Sequence, residues 1–219
     1  MPRTPPILDP PIRLAVCVSG GGTTLRNLID RTRDDRLKAR IVQVVASKAG
    51  IGAIERAQEA GLPCEVVARS GRTLDEFSRQ VFIKVRQAEA DLVILGGFLC
   101  LLRIPDDYAG RVMNIHPALI PAFCGQGSHG EAVHRAVIDS GVRFSGCTVH
   151  FADQTYDTGP IITQKIVPVH DDDTPRSLAV RVFEAECEAL PEAITLFAEG
   201  RLRIEGRRVR LLDRPVGPN

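Results

Sequence analysis

The chain has 219 residues, 44% hydrophobic and 25% charged, and its 28 basic and 27 acidic side chains leave a formal charge of +1. That balance belongs to an ordinary globular protein, one large domain or one domain with an appendage, and it supplies no general field for a nucleic-acid backbone. No run approaches about 18 apolar residues, and residues 1–13 hold five prolines without the apolar stretch of a secretory signal, so a cytoplasmic protein with no membrane or nucleic-acid partner is expected.

Residues 1–12 are expected to form a disordered proline-rich tail, residues 13–212 a single domain, and residues 213–219 a second tail. Residues 14–18 are a short apolar run that opens into Ser19-Gly20-Gly21-Gly22-Thr23-Thr24, followed by an amphipathic stretch with Leu25, Leu28 and Ile29. That pattern predicts strand, loop and helix. The unit recurs, with strands at 41–46, 64–67 and 92–95 and helices at 53–60, stopped by Gly61, and at 74–88. Such alternation predicts a Rossmann-like α/β fold, a mostly parallel sheet with helices on both faces. Leu92-Val93-Ile94-Leu95 shows no period of two, as befits a strand covered on both sides. A ligand crevice is then expected at the carboxyl ends of these strands.

From residue 112 the texture changes. Strands are expected at 112–116, 147–152 and 161–169, a long loop at 117–129, and helices at 131–139 and 177–198. The last follows a Thr174-Pro175 start signal and is expected to bend or break near Pro191. Mixed or antiparallel pairing suits this half. Arg201, Arg203, Arg207, Arg208, Arg210 and Arg214 are interleaved with apolar and acidic residues, the pattern of one solvated face of a hairpin. Six cysteines, at 17, 64, 100, 124, 147 and 187, form no CxxC pair and read as buried small hydrophobes or free thiols. Cys124, His129, His134, Cys147 and His150 fit no familiar zinc spacing, so no metal is expected.

Three segments carry chemistry. At the mouth of a helix, the loop from Ser19 to Thr24 offers backbone N–H groups, a positive helix end and two hydroxyls, which suits a phosphate; a tight structural turn is the alternative. It is neither a Walker loop, lacking Gly-Lys-Ser/Thr, nor a dinucleotide fingerprint, because Leu25 replaces the third small residue. In Asn114-Ile115-His116-Pro117, residues i and i+2 of a strand face the same way, so a carboxamide and an imidazole can converge on an oxygen that turns negative in acyl transfer. A core-satisfied histidine fits that triplet equally. Tyr156-Asp157-Thr158-Gly159-Pro160 places a carboxylate on a turn, where it either does ordinary turn chemistry or keeps a nearby imidazole charged. Together the three make a substrate anchor with an acid and oxyanion set, and no serine or cysteine stands in a nucleophile elbow. Direct formyl or acyl transfer to an amine follows.

Ser19 to Leu25, Gly97-Phe98-Leu99, the segment Asn114 to Pro121, Thr148-Val149-His150-Phe151 and Asp157 to Ile162 resemble, in order and spacing, the folate-dependent formyltransferases, and among them the phosphoribosylglycinamide formyltransferase family of purine biosynthesis. The resemblance spans residues 13–212. It implies transfer of a formyl group from 10-formyltetrahydrofolate, the co-substrate, to the amine of glycinamide ribonucleotide, through a tetrahedral intermediate stabilised by Asn114, protonated His116 and Asp157. It also implies Gly22, Thr23, Thr24 and Glu186 for the ribonucleotide. Arg72, Leu99, Cys100, Leu101, Leu102, Asp153, Gln154, Thr155 and Tyr156 are implied for the folate. Thr24, Leu99-Cys100, Cys124 and Phe183 depart from the family's usual Asn, Met-Arg, Lys or Pro, and polar residue. A methionyl-tRNA formyltransferase carries a further C-terminal domain and a formyltetrahydrofolate hydrolase usually an N-terminal one, which ranks them lower; the alternatives are another formyltetrahydrofolate-dependent enzyme, a hydrolase or one with a different amine acceptor, and, of another class, a non-catalytic nucleotide-binding module. Small-molecule substrates and a monomer or homodimer complete the expectation.

Overall fold

The computed structural model describes residues 8–213. Five strands alternate with three helices in the first half: β1 (Ile12–Val18), α1 (Thr23–Arg33), β2 (Ala39–Ala46), α2 (Gly52–Glu59), β3 (Cys64–Val66), α3 (Leu74–Gln87), β4 (Leu92–Leu95) and β5 (Val112–His116). They pair in parallel in the order β3-β2-β1-β4-β5. Strand order reverses on the two sides of β1, so a crevice opens where the loops after β1 and β4 part company. The glycine loop and Gly97 lie at that point.

Helix α4 (Glu131–Asp139), β6 (Phe144–Phe151), β7 (Ile161–Pro168), α5 (Pro175–Ala198), β8 (Leu202–Glu205) and β9 (Arg208–Leu211) follow. β6 runs antiparallel to both β5 and β7, and the β8–β9 hairpin joins the far edge through β9, giving nine strands in one sheet among the described residues. Of the arginine series expected there, Arg214 lies outside the described residues.

Both faces of β1 are buried, which is why it carries no polar alternation. Leu14, Val16 and Val18 pack with Leu25 and Leu28 of α1 and Leu190 and Ile194 of α5. Ala15 and Cys17 pack on the opposite face with Phe77, Val81 and Phe82 of α3. Thr73 and Thr174 start α3 and α5 with capping boxes, each hydroxyl accepting the N–H three residues on.

Two expectations change. α5 runs unbroken through Pro191. A proline there leaves the carbonyl of Cys187 without its helical donor, and the Asn27 amide of α1 donates to that carbonyl at 3.3 Å. Residues 8–12, placed in the expected tail, are held to the domain: the Leu8 N–H donates to Ala198 O at 3.2 Å, Leu8 packs against the core, and β1 begins at Ile12. Residues 1–7 and 214–219 of the two expected tails lie outside the described residues. Among the described residues no helix is long and apolar enough to cross a membrane.

Candidate active site

Gly22 precedes α1 with φ +76°, and a Cβ there would meet the Cα and Cβ of Ala53 at 2.8 Å. Only glycine allows both the left-handed turn and this close approach of α2. Gly20 and Gly21 have nothing within 4 Å of where a Cβ would stand, so the loop is open on its outer side. Its backbone is braced from beneath: Gly20 O accepts from the Ala53 N–H at 3.1 Å and Gly21 O from Arg56 Nε at 2.7 Å. Ser19 Oγ lies 2.7 Å from Ser47 Oγ and accepts the Leu99 N–H at 3.0 Å, tying together the ends of β1, β2 and β4.

The polar trio forms where β5 meets β6. The Asn114 Nδ2 donates to Asp157 Oδ1 at 3.2 Å, and His116 Nδ1 lies 3.6 Å from Asp157 Oδ2. Asp157 reaches them from the turn before β7. A Cβ on Gly159 would stand 1.8 Å from Phe151 O, so glycine is what lets this turn close onto the end of β6, and Asp157 itself adopts φ +54°. The Gly125 N–H donates to Asp157 Oδ2 at 2.8 Å, bringing the loop after β5 down onto the carboxylate.

A fourth side chain was not singled out from sequence. His150 is the cross-strand partner of Asn114 in the β5–β6 pairing. Its Nε2 lies 3.1 Å from Asn114 Nδ2 and 3.6 Å from Asp157 Oδ1. Because its Nδ1 faces the Phe151 carbonyl at 2.9 Å, that nitrogen carries the proton and Nε2 accepts from Asn114. The sequence signal was Thr148-Val149-His150-Phe151, whose register against β5 no periodicity reveals.

Electrostatics correct one expectation. Burial pushes the His116 pKa down, and although Asp157 and the Phe123 carbonyl pull it up, burial prevails. His116 is therefore neutral near pH 7 in the free protein, not held charged by Asp157. Its Nε2 faces Phe123 O at 2.9 Å and must donate, leaving Nδ1 unprotonated toward the carboxylate. Burial opposes the ionisation of Asp157, yet its pKa lies below the usual carboxylate range, with the Gly125 N–H donating to Oδ2 among the causes. Burial alone, with no compensating charge, pushes the Glu186 carboxyl up to about 7.

A cavity of about 850 Å³ is bordered by Thr23, Thr24, Leu99, Asn114, His116, Asp157 and Glu186. That is ample for a ligand of ordinary size, for which roughly 300–1,000 Å³ is typical. A side recess of about 50 Å³ opens beside Asn114, between Cys100, Leu101 and Leu102 on one wall and Asp153, Thr155 and Tyr156 on the other. The Tyr156 hydroxyl accepts the Leu101 N–H at 3.0 Å across it. Two residues expected on the folate side border neither space. The Arg72 guanidinium donates to Ala68 O at 2.5 Å, and Gln154 Nε2 donates to Ile104 O at 2.9 Å, so local backbone acceptors hold both long side chains away. The departing residues Thr24 and Phe183 border the cavity and Cys100 the recess. Among the described residues no three His, Cys, Asp or Glu side chains gather as a metal site would require.

The formyl transferase family matches residues 12–194. The chloroplastic phosphoribosylglycinamide formyltransferase of Arabidopsis thaliana is 36% identical over 211 residues, covering 94% of this chain and 72% of that protein. The trifunctional purine biosynthetic protein adenosine-3 of Gallus gallus is 38% identical over 198 residues, 88% of this chain, and the chain spans only 19% of that protein's length. Among solved structures, glycinamide ribonucleotide transformylase 1 from Symbiobacterium toebii superimposes with a TM-score of 0.84 at 39% identity, covering 92% of this chain and 94% of that one.

Proposed function

Because the chain belongs to the formyl transferase family, and within it to the phosphoribosylglycinamide formyltransferases, we propose that it moves the formyl group of 10-formyltetrahydrofolate to the amine of glycinamide ribonucleotide in purine biosynthesis. The observation that carries this is the meeting of Asn114, His116 and Asp157 at a cavity that is also bordered by Thr23 and Thr24, where the glycine loop enters α1.

The N–H groups of the first turn of α1 have no helical acceptor and lie at its positive end, so Gly22, Thr23 and Thr24 suit the ribonucleotide phosphate. Glu186, across the cavity on α5, offers carboxylate oxygens to hydroxyls of the same ligand. The recess beside Asn114 has apolar walls from Leu95, Leu102 and Ile104 and polar groups from the turn before β7, a lining that suits a flat heteroaromatic ring once the Tyr156–Leu101 bond opens. The co-substrate, when bound, supplies an activated formyl carbon.

The amine approaches from the ribonucleotide side while Asn114 turns one N–H onto the formyl oxygen. His116 keeps its Nε2 proton on Phe123 O, so a second proton has only Nδ1 to occupy. Negative charge growing on the oxygen raises the proton affinity of that nitrogen, and Asp157 at 3.6 Å adds to it. The imidazole thus takes up at Nδ1 the proton that the attacking amine loses as the oxyanion forms, and passes it to the folate nitrogen as the bond between that nitrogen and the formyl carbon breaks.

The test is formation of formylglycinamide ribonucleotide by the purified protein from both substrates. Formate release that needs no amine indicates a hydrolase, and ribonucleotide binding without turnover a binding module; either result refutes the proposal. Asn114→Ala is expected to lower kcat by about 10² to 10³ and His116→Ala by about 10² to 10⁴, with the fold intact by circular dichroism.

A further inference from the structure

His134 lies in the first turns of α4, only 5% exposed, and its Nδ1 is buried with no hydrogen-bond partner among the described residues. A buried polar atom left in that state destabilises the free protein, and folded chains keep few of them. The ring nevertheless borders the large cavity, in company with Thr24, His116, Phe183 and Glu186, and takes no part in the recess beside Cys100 and Asp153. Its position is therefore on the ribonucleotide side.

The chemistry of its ligand follows from its charge. Burial first, and then the neighbouring His116, push the His134 pKa down. A neutral imidazole has one donor and one acceptor and suits a hydroxyl or an amide; a phosphate would call for a cation. With no partner on Nδ1, nothing opposes a half-turn about the Cβ–Cγ bond, which exchanges Nδ1 with Cδ2 at nearly constant shape. The ligand then sets the orientation of the ring.

We infer that His134 is a binding residue for the ribonucleotide, hydrogen-bonding a neutral hydroxyl or amide group of that substrate. The inference rests on the formyl-transfer function proposed above.

The experiment compares wild type, His134→Leu and His134→Asn in steady-state kinetics with each substrate varied and in thermal unfolding without ligand. Leucine has a similar volume and no polar atom, so KM for the ribonucleotide should rise about 3- to 10-fold, the loss of one hydrogen bond. The KM for formyltetrahydrofolate and kcat should stay within about twofold. Because the substitution removes an unpartnered atom, Tm of the free protein should hold or rise, whereas loss of a merely structural side chain would lower it. His134→Asn, which keeps an amide near the Nδ1 position, should recover part of the affinity. An unchanged ribonucleotide KM in His134→Leu overturns the inference, as does equal loss of affinity for both substrates. A wild type that forms no formylated ribonucleotide instead overturns the formyl-transfer function itself, and the inference with it.

Discussion

Glu186→Gln separates what the cavity costs the fold from what it gives the ligand. Glu186 carries a carboxyl pushed by burial from 4.5 in the reference state to about 7. Between those values the folded protein holds a proton that the unfolded chain has released, so stability falls as pH rises through this window. The sign is opposite to that of an ion-paired carboxylate: the penalty is absent below about pH 4.5 and complete above about pH 7. At about 1.4 kcal/mol per pH unit the full penalty is about 3.5 kcal/mol, and because the side chain borders a cavity open to water about 1–3 kcal/mol is expected. Glutamine keeps the shape without the charge. Urea denaturation at pH 5 and pH 8 should therefore show wild type and variant nearly equal at the lower pH and the variant more stable by that amount at the higher. The same variant should bind ribonucleotide more weakly at pH 8. A stability difference that does not change between the two pH values refutes the argument.

Three further outcomes follow from the geometry. In Asp157→Asn the neighbour that pulls the His116 pKa upward is gone, so the imidazole should titrate at still lower pH; an unchanged or raised value in an NMR titration excludes the pairing. Gly22→Ala should cost about 1–3 kcal/mol in urea denaturation, from the left-handed φ and the contact with Ala53. Gly20→Ala, with open space around it, should cost well under that, and equal losses at the two positions contradict the close-approach explanation. Tyr156→Phe removes the hydroxyl that spans the recess. It should lower the KM for formyltetrahydrofolate about 2- to 5-fold, since one hydrogen bond fewer must break; a raised KM means the hydroxyl binds the folate instead.

The sequence made the trio legible because each member obeys a local rule. Asn114 and His116 share a strand face through the two-residue period, and Asp157 is delivered by a turn that needs Gly159. Those rules are silent about what encloses a side chain. The charge state of His116 depends on burial between Phe123, Asp157 and the cavity wall, a sum over groups distant in the chain, and its sign differs from that inferred from the Asp–His pair alone. His150 escaped for a related reason: its place opposite Asn114 is a matter of β5–β6 register, and a strand carries its alternation but not its partner. Arg72 and Gln154 show a limit of the same kind: in the free protein their long side chains rest on nearby backbone acceptors, Ala68 O and Ile104 O, which sequence spacing does not reveal. The break that Pro191 permits does not occur in α5, where the carbonyl it leaves free accepts from Asn27 of another helix.

The polar groups of the cavity fall into two kinds, and the division bears on how binding and chemistry are coupled. Those at the reaction centre satisfy one another in the free protein: both Asn114 amide hydrogens are used, on Asp157 and His150, Asp157 also accepts from Gly125, and His116 donates to Phe123. Such a closed network fixes geometry before substrate arrives, and in the proposed reaction an incoming formyl oxygen must take an Asn114 hydrogen from an existing acceptor. In the ground state that exchange gains little, because a neutral carbonyl is a weaker acceptor than Asp157. It becomes favourable as the oxygen turns anionic, so the network discriminates in favour of the transition state. Glu186 and His134 are the opposite kind, a carboxylate without a counter-charge and a ring nitrogen without a partner. Each weakens the free fold, and on the function and inference proposed above each gains a partner on binding, which would give the ribonucleotide side affinity that does not depend on the reaction. The centre is thereby free to hold its substrate atoms weakly until they react.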